Sequence, residues 1–487
     1  MALKLPPFRR IVQVTAPIVA IFTLMIGLRV GAGEAVRAAV VFGAPPSTPG
    51  PDGKTRLAWQ VLTFLDDRGV KETIPMRRLE IVARAKGQES VWKGDSNVDG
   101  IAEASFVFDG LVEGDDVDLE VRLPGEKDPL AKGRAQWSPR PTTSSGSDRP
   151  EGQRVRPTAE RGAIRMQVAI EGERLVPGSP TPVWVYFTTE SLPRSKVAIR
   201  ALPEPGIVAE REDLKVCPGG WAEASLLAQA HVVGTKFVAK PRAPDVQDSK
   251  EEGEWFGVMP VAAGAFSITI DRVIEENRAT AATLIAPNPR NVAYAEVQDR
   301  HGRIVAAALE PRVEAGDPMP RARLEIPPLR AGLYWVVASG EPRGGEHMTG
   351  AAIARAFVVG KGPEGAGIDT RDLCSVGPYL AKQHATGVKR WIALDGLPER
   401  SAKNRFRHDL GMGIAMLSLL AAALLEALLL VAASRETRIA LQLAELDGDD
   451  EKVEAVTAKP PGGSLAVALL VAVLGFALLA ALLVAKA

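Results

Sequence analysis

Cysteine is almost missing from this sequence: Cys217 and Cys374 are the whole complement of its 487 residues. Two thiols cannot build a disulfide-dense scaffold or a multi-cysteine zinc module. Net charge is missing as well. The 59 lysines and arginines balance 59 aspartates and glutamates, so no global field draws in nucleic acid or an acidic substrate. The five histidines, His231, His301, His347, His384 and His408, form no H-x-H or H-E-x-x-H pair, which removes the sequence-local patterns of metalloproteases. Gly94-Asp95-Ser96-Asn97-Val98 lacks the last glycine of a nucleophile elbow. The residues therefore read as those of a protein that is not an enzyme, and no cofactor is expected.

What is present is concentrated at the ends. Ile11 to Leu28 holds 18 residues without a charge, behind Lys4, Arg9 and Arg10; Leu410 to Ala433 holds 24 with one charge, Glu426; Leu465 to Ala485 holds 21 with none. A helix needs about 20 apolar residues to cross the hydrocarbon core. The expectation is three transmembrane helices, one N-terminal (11–30) and two C-terminal (410–433 and 464–485). The first has two readings, a signal peptide or an uncleaved anchor, and Arg29 after it favours the anchor. Basic residues before it place 1–10 in the cytoplasm, which exports 31–409 and leaves 434–463 as a cytoplasmic loop, as in a bacterial inner-membrane protein. The inverted arrangement stays open, because Arg400, Lys403, Arg405 and Arg407 crowd the other side of the second helix. Glu426 is costly within a membrane and is a candidate for contact with another helix or for taking a proton.

The middle reads as mainly β. Val117, Leu119, Val121 and Leu123 alternate with Asp118, Glu120 and Arg122, the pattern of a strand with one buried face. Asp99-Gly-Ile-Ala-Glu-Ala-Ser-Phe106 returns as Gly219-Gly-Trp-Ala-Glu-Ala-Ser-Leu226, an offset of 120 residues. Flanking strands recur with it: Leu79–Arg84 answers Val197–Arg200, and Val117–Leu123 answers Thr235–Ala239. Tandem sandwiches follow. The expected order is a linker at 31–54, sandwich one at 55–137, a Pro/Ser/Arg linker at 138–162, sandwich two at 163–263, sandwich three at 264–360 and a juxtamembrane segment at 361–409. In the third unit Asp299-Arg-His-Gly302 separates two apolar runs, which is hairpin chemistry.

A strand, then Asp-Gly-x-Ala-x-x-Phe, then another strand resembles the bacterial immunoglobulin-like and macroglobulin-like domains of surface proteins, over about residues 55–260. The resemblance implies immunoglobulin-like sandwiches. The Cys-Gly-Glu-Gln thioester of macroglobulins has no counterpart here, so no protease trapping and no functional residue is carried over.

The remaining candidates are few. Asp95, Asn97 and Asp99 match the start of a calcium loop, but Phe106 stands where the bidentate glutamate belongs; no metal is expected, and a turn between strands explains the same residues. Gly360-Lys-Gly-Pro-Glu-Gly365 spells a dinucleotide motif that Pro363 and Gly367 break. Cys217 and Cys374 are free to pair in an exported region. The reading is a non-enzymatic, membrane-anchored envelope protein presenting tandem β-sandwiches to a protein partner or a surface glycan, with membrane lipid as its other partner. Its rival is a subunit or signal transducer of a membrane complex, with the C-terminal helices and Glu426 relaying changes.

Overall fold

The computed structural model describes residues 34–67, 69–112, 114–135, 155–242, 251–313, 319–342, 352–385 and 387–447, with isolated residues at 18, 21, 22, 24, 25, 29 and 471. The chain divides into a larger unit, Ala38–Phe64 with Thr73–Leu397, and a smaller one, Met1–Arg37 with Leu65–Glu72 and Pro398–Ala487.

The larger unit, called the head below, is mainly β and contains three sandwiches. In the first, one sheet joins Trp391–Asp395, Val36–Gly43, Lys54–Asp67 and Ile101–Asp109, and the other joins Gln88–Gly94, Leu79–Ala85, Val117–Arg122 and Ala131–Ala135. Val117, Leu119 and Val121 point into a core with Trp59, Phe106 and Phe108, which is what the period-two alternation requires.

The second sandwich repeats this plan. Pro180–Thr188 pairs with Trp221–Ala228 in one sheet, as Lys54–Asp67 pairs with Ile101–Asp109. Val197–Pro203 pairs with Val233–Pro241 in the other, as Leu79–Ala85 pairs with Val117–Arg122. The repeat extends to single bonds: Gly100 O accepts Thr63 N at 2.7 Å, and Gly220 O accepts Phe187 N at 2.9 Å. Both glycines have positive φ, 73° and 82°. A Cβ on Gly100 would stand 2.5 Å from Thr63 O, so conformation and space both demand glycine there.

In the third sandwich a sheet of Ser267–Thr269, Thr280–Ile285 and Arg321–Ile326 faces one of Val273–Ile274, Ile353–Val359, Gly332–Ser339, Ala293–Gln298 and Arg303–Leu309. Ala293–Gln298 and Arg303–Leu309 form an antiparallel hairpin, whose turn is closed by Asp299 Oδ1 accepting from His301 N and Gly302 N at 2.7 and 2.8 Å.

Two stretches differ from the sequence expectation. The linker expected at 31–54 already carries strand Val36–Gly43, and Ala44 O accepts Trp59 Nε1 at 3.1 Å inside the first core. The segment expected to be juxtamembrane, 361–409, is largely a strap bound to all three sandwiches. Its helix Leu373–Leu380 lays Val376 and Leu380 on the outer face of the third. Cys374 is joined to Cys217 of the second, across 157 residues of sequence. Its strand Trp391–Asp395 pairs antiparallel with Val36–Gly43, Val40 facing Asp395. Short apolar runs between glycines and prolines hid both strands, and the pairing that joins them spans more than 300 residues.

In the smaller unit, helix Ala402–Asp447 runs 46 residues, about 69 Å at 1.5 Å per residue. Leu24 packs on Ala415 beside Leu419, and Glu34 meets Arg407 at 3.3 Å while its carbonyl accepts Asn404 Nδ2. Falling numbers on one side match rising numbers on the other, so the two segments run antiparallel. Counted over the described residues, no helix is long and apolar enough to cross a membrane. Residues 11–17 and 464–485, Val471 apart, lie outside the described residues, and Glu426 lies in the long helix with its side chain outside them.

Candidate functional site

The head's buried charges gather at two joints. At the joint of sandwiches one and three, Glu103 lies on Ile101–Asp109, Glu296 on Ala293–Gln298, Arg303 at the start of Arg303–Leu309, and Arg390 on the strap. Arg303 Nε stands 2.7 Å from Glu296 Oε2 and its Nη2 3.1 Å from Glu103 Oε2. Arg390 Nη2 reaches the same Glu296 oxygen at 3.0 Å. Neighbouring groups add hydrogen bonds: Arg303 Nη1 donates to Ala58 O at 2.9 Å, Arg390 Nη1 to Pro342 O at 2.8 Å, and Gln60 Nε2 to Glu103 Oε1 at 2.7 Å. Two cations meet two anions, and Arg303 is only 1% exposed. Burial alone would lower the pKa of Arg303, but the Glu103 and Glu296 carboxylates outweigh it and hold the guanidinium above its ordinary value.

The joint of sandwiches two and three has the same composition. Arg272 Nη2 lies 2.8 Å from Glu171 Oε1 and 2.6 Å from Glu223 Oε1, and Arg355 Nη2 lies 3.2 Å from Glu171 Oε2. Trp184 Nε1 donates to Glu171 at 2.9 Å, and the Arg272 guanidinium sits 5.4 Å over the Trp184 ring. The two arginines part company here. Arg272 is held above its ordinary value by Glu171 and Glu223 against the pull of burial, whereas burial wins at Arg355 and lowers it, with Arg272 adding repulsion.

The repeat explains why the joints match. Glu103 and Glu223 occupy the same place in the eight-residue repeat, and each projects to the third sandwich, meeting Arg303 in one case and Arg272 in the other. Across the strand, Gln60 faces Glu103 and Trp184 faces Glu223 in register, and both donate to a carboxylate of their quartet. The third sandwich is the hub that supplies arginines in both directions. The signal in the sequence was the glutamate kept in both copies of an otherwise apolar strand.

Such a site positions rather than reacts. A buried, neutral quartet adds little net stability, while any arrangement that leaves one of its buried charges without a partner is heavily penalised. The cavity beside the first quartet, lined by Glu103, Tyr294, Glu296, Arg303 and Arg390, has about 10 Å³, room for a single water. Glu296, which lines it, has its Oε1 buried without a hydrogen-bond partner.

The residues singled out from sequence fall elsewhere. Asn97 Oδ1 accepts Asp99 N and Ile101 N at 3.0 and 2.9 Å, Asp95 Oδ1 accepts Arg78 N at 2.7 Å, and Tyr294 OH donates to Asp99 Oδ2 at 2.6 Å. These oxygens close a turn and tie it to the third sandwich. Among the described residues no group of three His, Cys, Asp or Glu could hold a metal ion. Burial, and then the bond to Asp99, push the Tyr294 phenol above its ordinary range. Cys217 and Cys374 meet beside Trp184, whose ring also covers Gly377 of the strap.

No protein-family model matches the sequence, and no curated protein does. Among solved structures the chain is similar to invasin, described as a bacterial integrin-binding protein, at 10% identity over 66% of this chain and 60% of that one, with a TM-score of 0.17. It is also similar to a titin fragment, at 10% identity over 42% of this chain and 100% of that one, TM-score 0.16. A tandem pair of titin immunoglobulin domains matches at 8% identity over 41% and 97%, TM-score 0.15. The chain thus spans 60% of the invasin structure. At these TM-scores the fold rests on the sheets themselves.

Proposed function

We propose that the chain is a non-enzymatic envelope protein, held in a membrane by apolar helices at its ends, whose three-sandwich head is exported and contacts another protein or a surface glycan. The strap carries this reading. By pairing Trp391–Asp395 with Val36–Gly43 it brings both ends of the head together, with Gly396 N donating to Ala39 O at 3.0 Å. A head flanked by a membrane segment on each side needs that arrangement. The Cys217–Cys374 disulfide fits an oxidising compartment outside the cytoplasm. The long helix leaves Leu417, Leu420 and Leu424 between 64% and 70% exposed, apolar area that suits lipid better than water.

A second reading, the subunit or signal transducer of a membrane complex, is favoured by the contact of Leu24 with Ala415, which couples the two anchoring segments.

Ser144→Cys supplies a single free thiol in the sequence between the first two sandwiches. A membrane-impermeant maleimide added to intact cells labels it in the exported arrangement; labelling that appears only after lysis sinks the proposal. Removing residues 408–487 separates the readings, since surface binding survives on the first anchor and transduction does not.

A further inference from the structure

The long helix begins against the rule for helix electrostatics. Its N-terminal end carries partial positive charge and favours acidic residues. Its first turn has none, and the second and fourth residues of the helix are Lys403 and Arg405, with Arg407 following. At about 100° per residue, Lys403 and Arg407 lie one turn apart on a stripe that continues through Leu410, Leu417, Leu424 and Leu428. Those leucines are 48%, 70%, 66% and 59% exposed, and Phe406, at the stripe's flank, is 68% exposed. The opposite side of the helix is the one that Leu24 covers at Ala415 and Leu419. One face therefore carries cations at its head, an aromatic ring beside them and bare leucines below, in the order in which a bilayer presents phosphate, glycerol level and acyl chain.

We propose that Lys403 and Arg407, with Phe406, form a docking face for the headgroup of an anionic phospholipid whose chains lie along Leu410 and Leu417. Lys403, placed in the first turn where the helix itself disfavours a cation, and Arg407 one turn on are both satisfied by an external phosphate. The partner at hand, Glu34, meets Arg407 in an exposed pair, side chains 38% and 83% accessible, and such pairs hold weakly, so Arg407 can turn to the lipid at small cost. Phe406, 68% exposed beside them, adds apolar area for the upper part of the acyl chains. The inference rests on the membrane-anchored reading and adds to it the lipid class.

The test uses the full-length protein in nanodiscs of phosphatidylglycerol and phosphatidylcholine, reading the enrichment of phosphatidylglycerol around the protein by spin-labelled lipid or by mass spectrometry of co-released lipid. Enrichment is expected for the natural chain, about fivefold lower for each cation removed in Lys403→Gln and Arg407→Gln, and unchanged in Arg435→Gln. Equal enrichment in the double variant K403Q/R407Q and the natural chain overturns the docking face. Loss of enrichment with Arg435→Gln alone also overturns it, by moving the selectivity to the other end of the helix. Alkaline carbonate extraction of native membranes keeps the two failures apart. Release of the natural chain refutes the anchored reading, whereas retention without lipid selectivity refutes only the headgroup assignment.

Discussion

Arg303 offers the sharpest perturbation. Arg303→Met keeps most of the side-chain volume and removes a charge that is 1% exposed. It leaves Glu103, 3% accessible, and Glu296, 4% accessible, with Arg390 as the one remaining cation within ion-pair distance of Glu296 among the described residues. It also strips Ala58 O of its donor. Breaking a buried pair by removing one partner costs about 3–5 kcal/mol, because an uncompensated charge stays behind. The double variant Arg303→Met with Glu103→Leu removes one charge of each sign and leaves the Glu296–Arg390 pair intact. Gln60 keeps Pro342 O, at 2.9 Å, as an acceptor for its amide. The double variant should therefore recover most of the loss, to within about 1 kcal/mol of the natural chain. Arg200→Ala serves as the reference: its pair with Glu212 is 53% and 57% accessible and is worth at most about 1 kcal/mol. Urea unfolding followed by tryptophan fluorescence, run as a double-mutant cycle, measures all three. The reasoning fails if Arg303→Met costs no more than Arg200→Ala, or if adding Glu103→Leu makes the loss deeper.

Three further outcomes are expected. Replacing Cys217 and Cys374 by serine opens a loop of 157 residues, which on chain entropy costs about 5 kcal/mol; urea midpoints with and without a reductant check it, and a natural chain indifferent to reductant contradicts it. Gly377→Ala should destabilise although alanine is the better helix former by about 1 kcal/mol, because its Cβ would lie 1.9 Å from the Trp184 ring; a raised melting temperature would show that the strap helix yields instead. Tyr294, Tyr334 and Tyr379 all stand above the ordinary phenol value of 10.0, each chiefly through burial, with Tyr334 pushed up to about 12. A raised acid whose neutral form is the buried one gives stability that is complete below pH 10 and is lost as pH rises through the folded-state values. Titration at the phenolate absorbance should show these three of the four tyrosines ionising late, together with loss of near-ultraviolet dichroism.

Local patterns carried the strands whose partners are close in sequence, and distant pairings escaped them. Val117–Arg122 announces itself by alternation because one face is buried and the other wet. Ala293–Gln298 is buried on both faces, so its alternation vanishes and Glu296 looks like a lone charge in an apolar run. Trp391–Asp395 is five residues long and carries no turn chemistry that points to Val36–Gly43. No short-range rule reaches a partner 355 residues away, the separation of Val40 and Asp395. The charge quartets were hidden for the same reason, with one exception. The repeated glutamate of Glu103 and Glu223 is a polar residue held at an equivalent strand position in two sandwiches, and that symmetry was readable as a shared contact before its partner was known.

The strap also constrains how the head is completed. Val36–Gly43 belongs to the first sandwich to be synthesised, yet its outer edge is filled by a strand that follows the third. Until then that edge exposes unpaired backbone groups, a hazard for pairing with other chains. Closing so long a loop costs only slowly more with length, but the contact can form only after all three sandwiches exist, which makes it late in folding. Arg390 arrives with the same segment and adds the second cation on Glu296. Before it arrives the first joint holds Glu103, Glu296 and Arg303, one anion in excess, and afterwards it is neutral. The strand Trp391–Asp395 thus closes the sheet edge and, with Arg390 beside it, balances the joint's charge in one event.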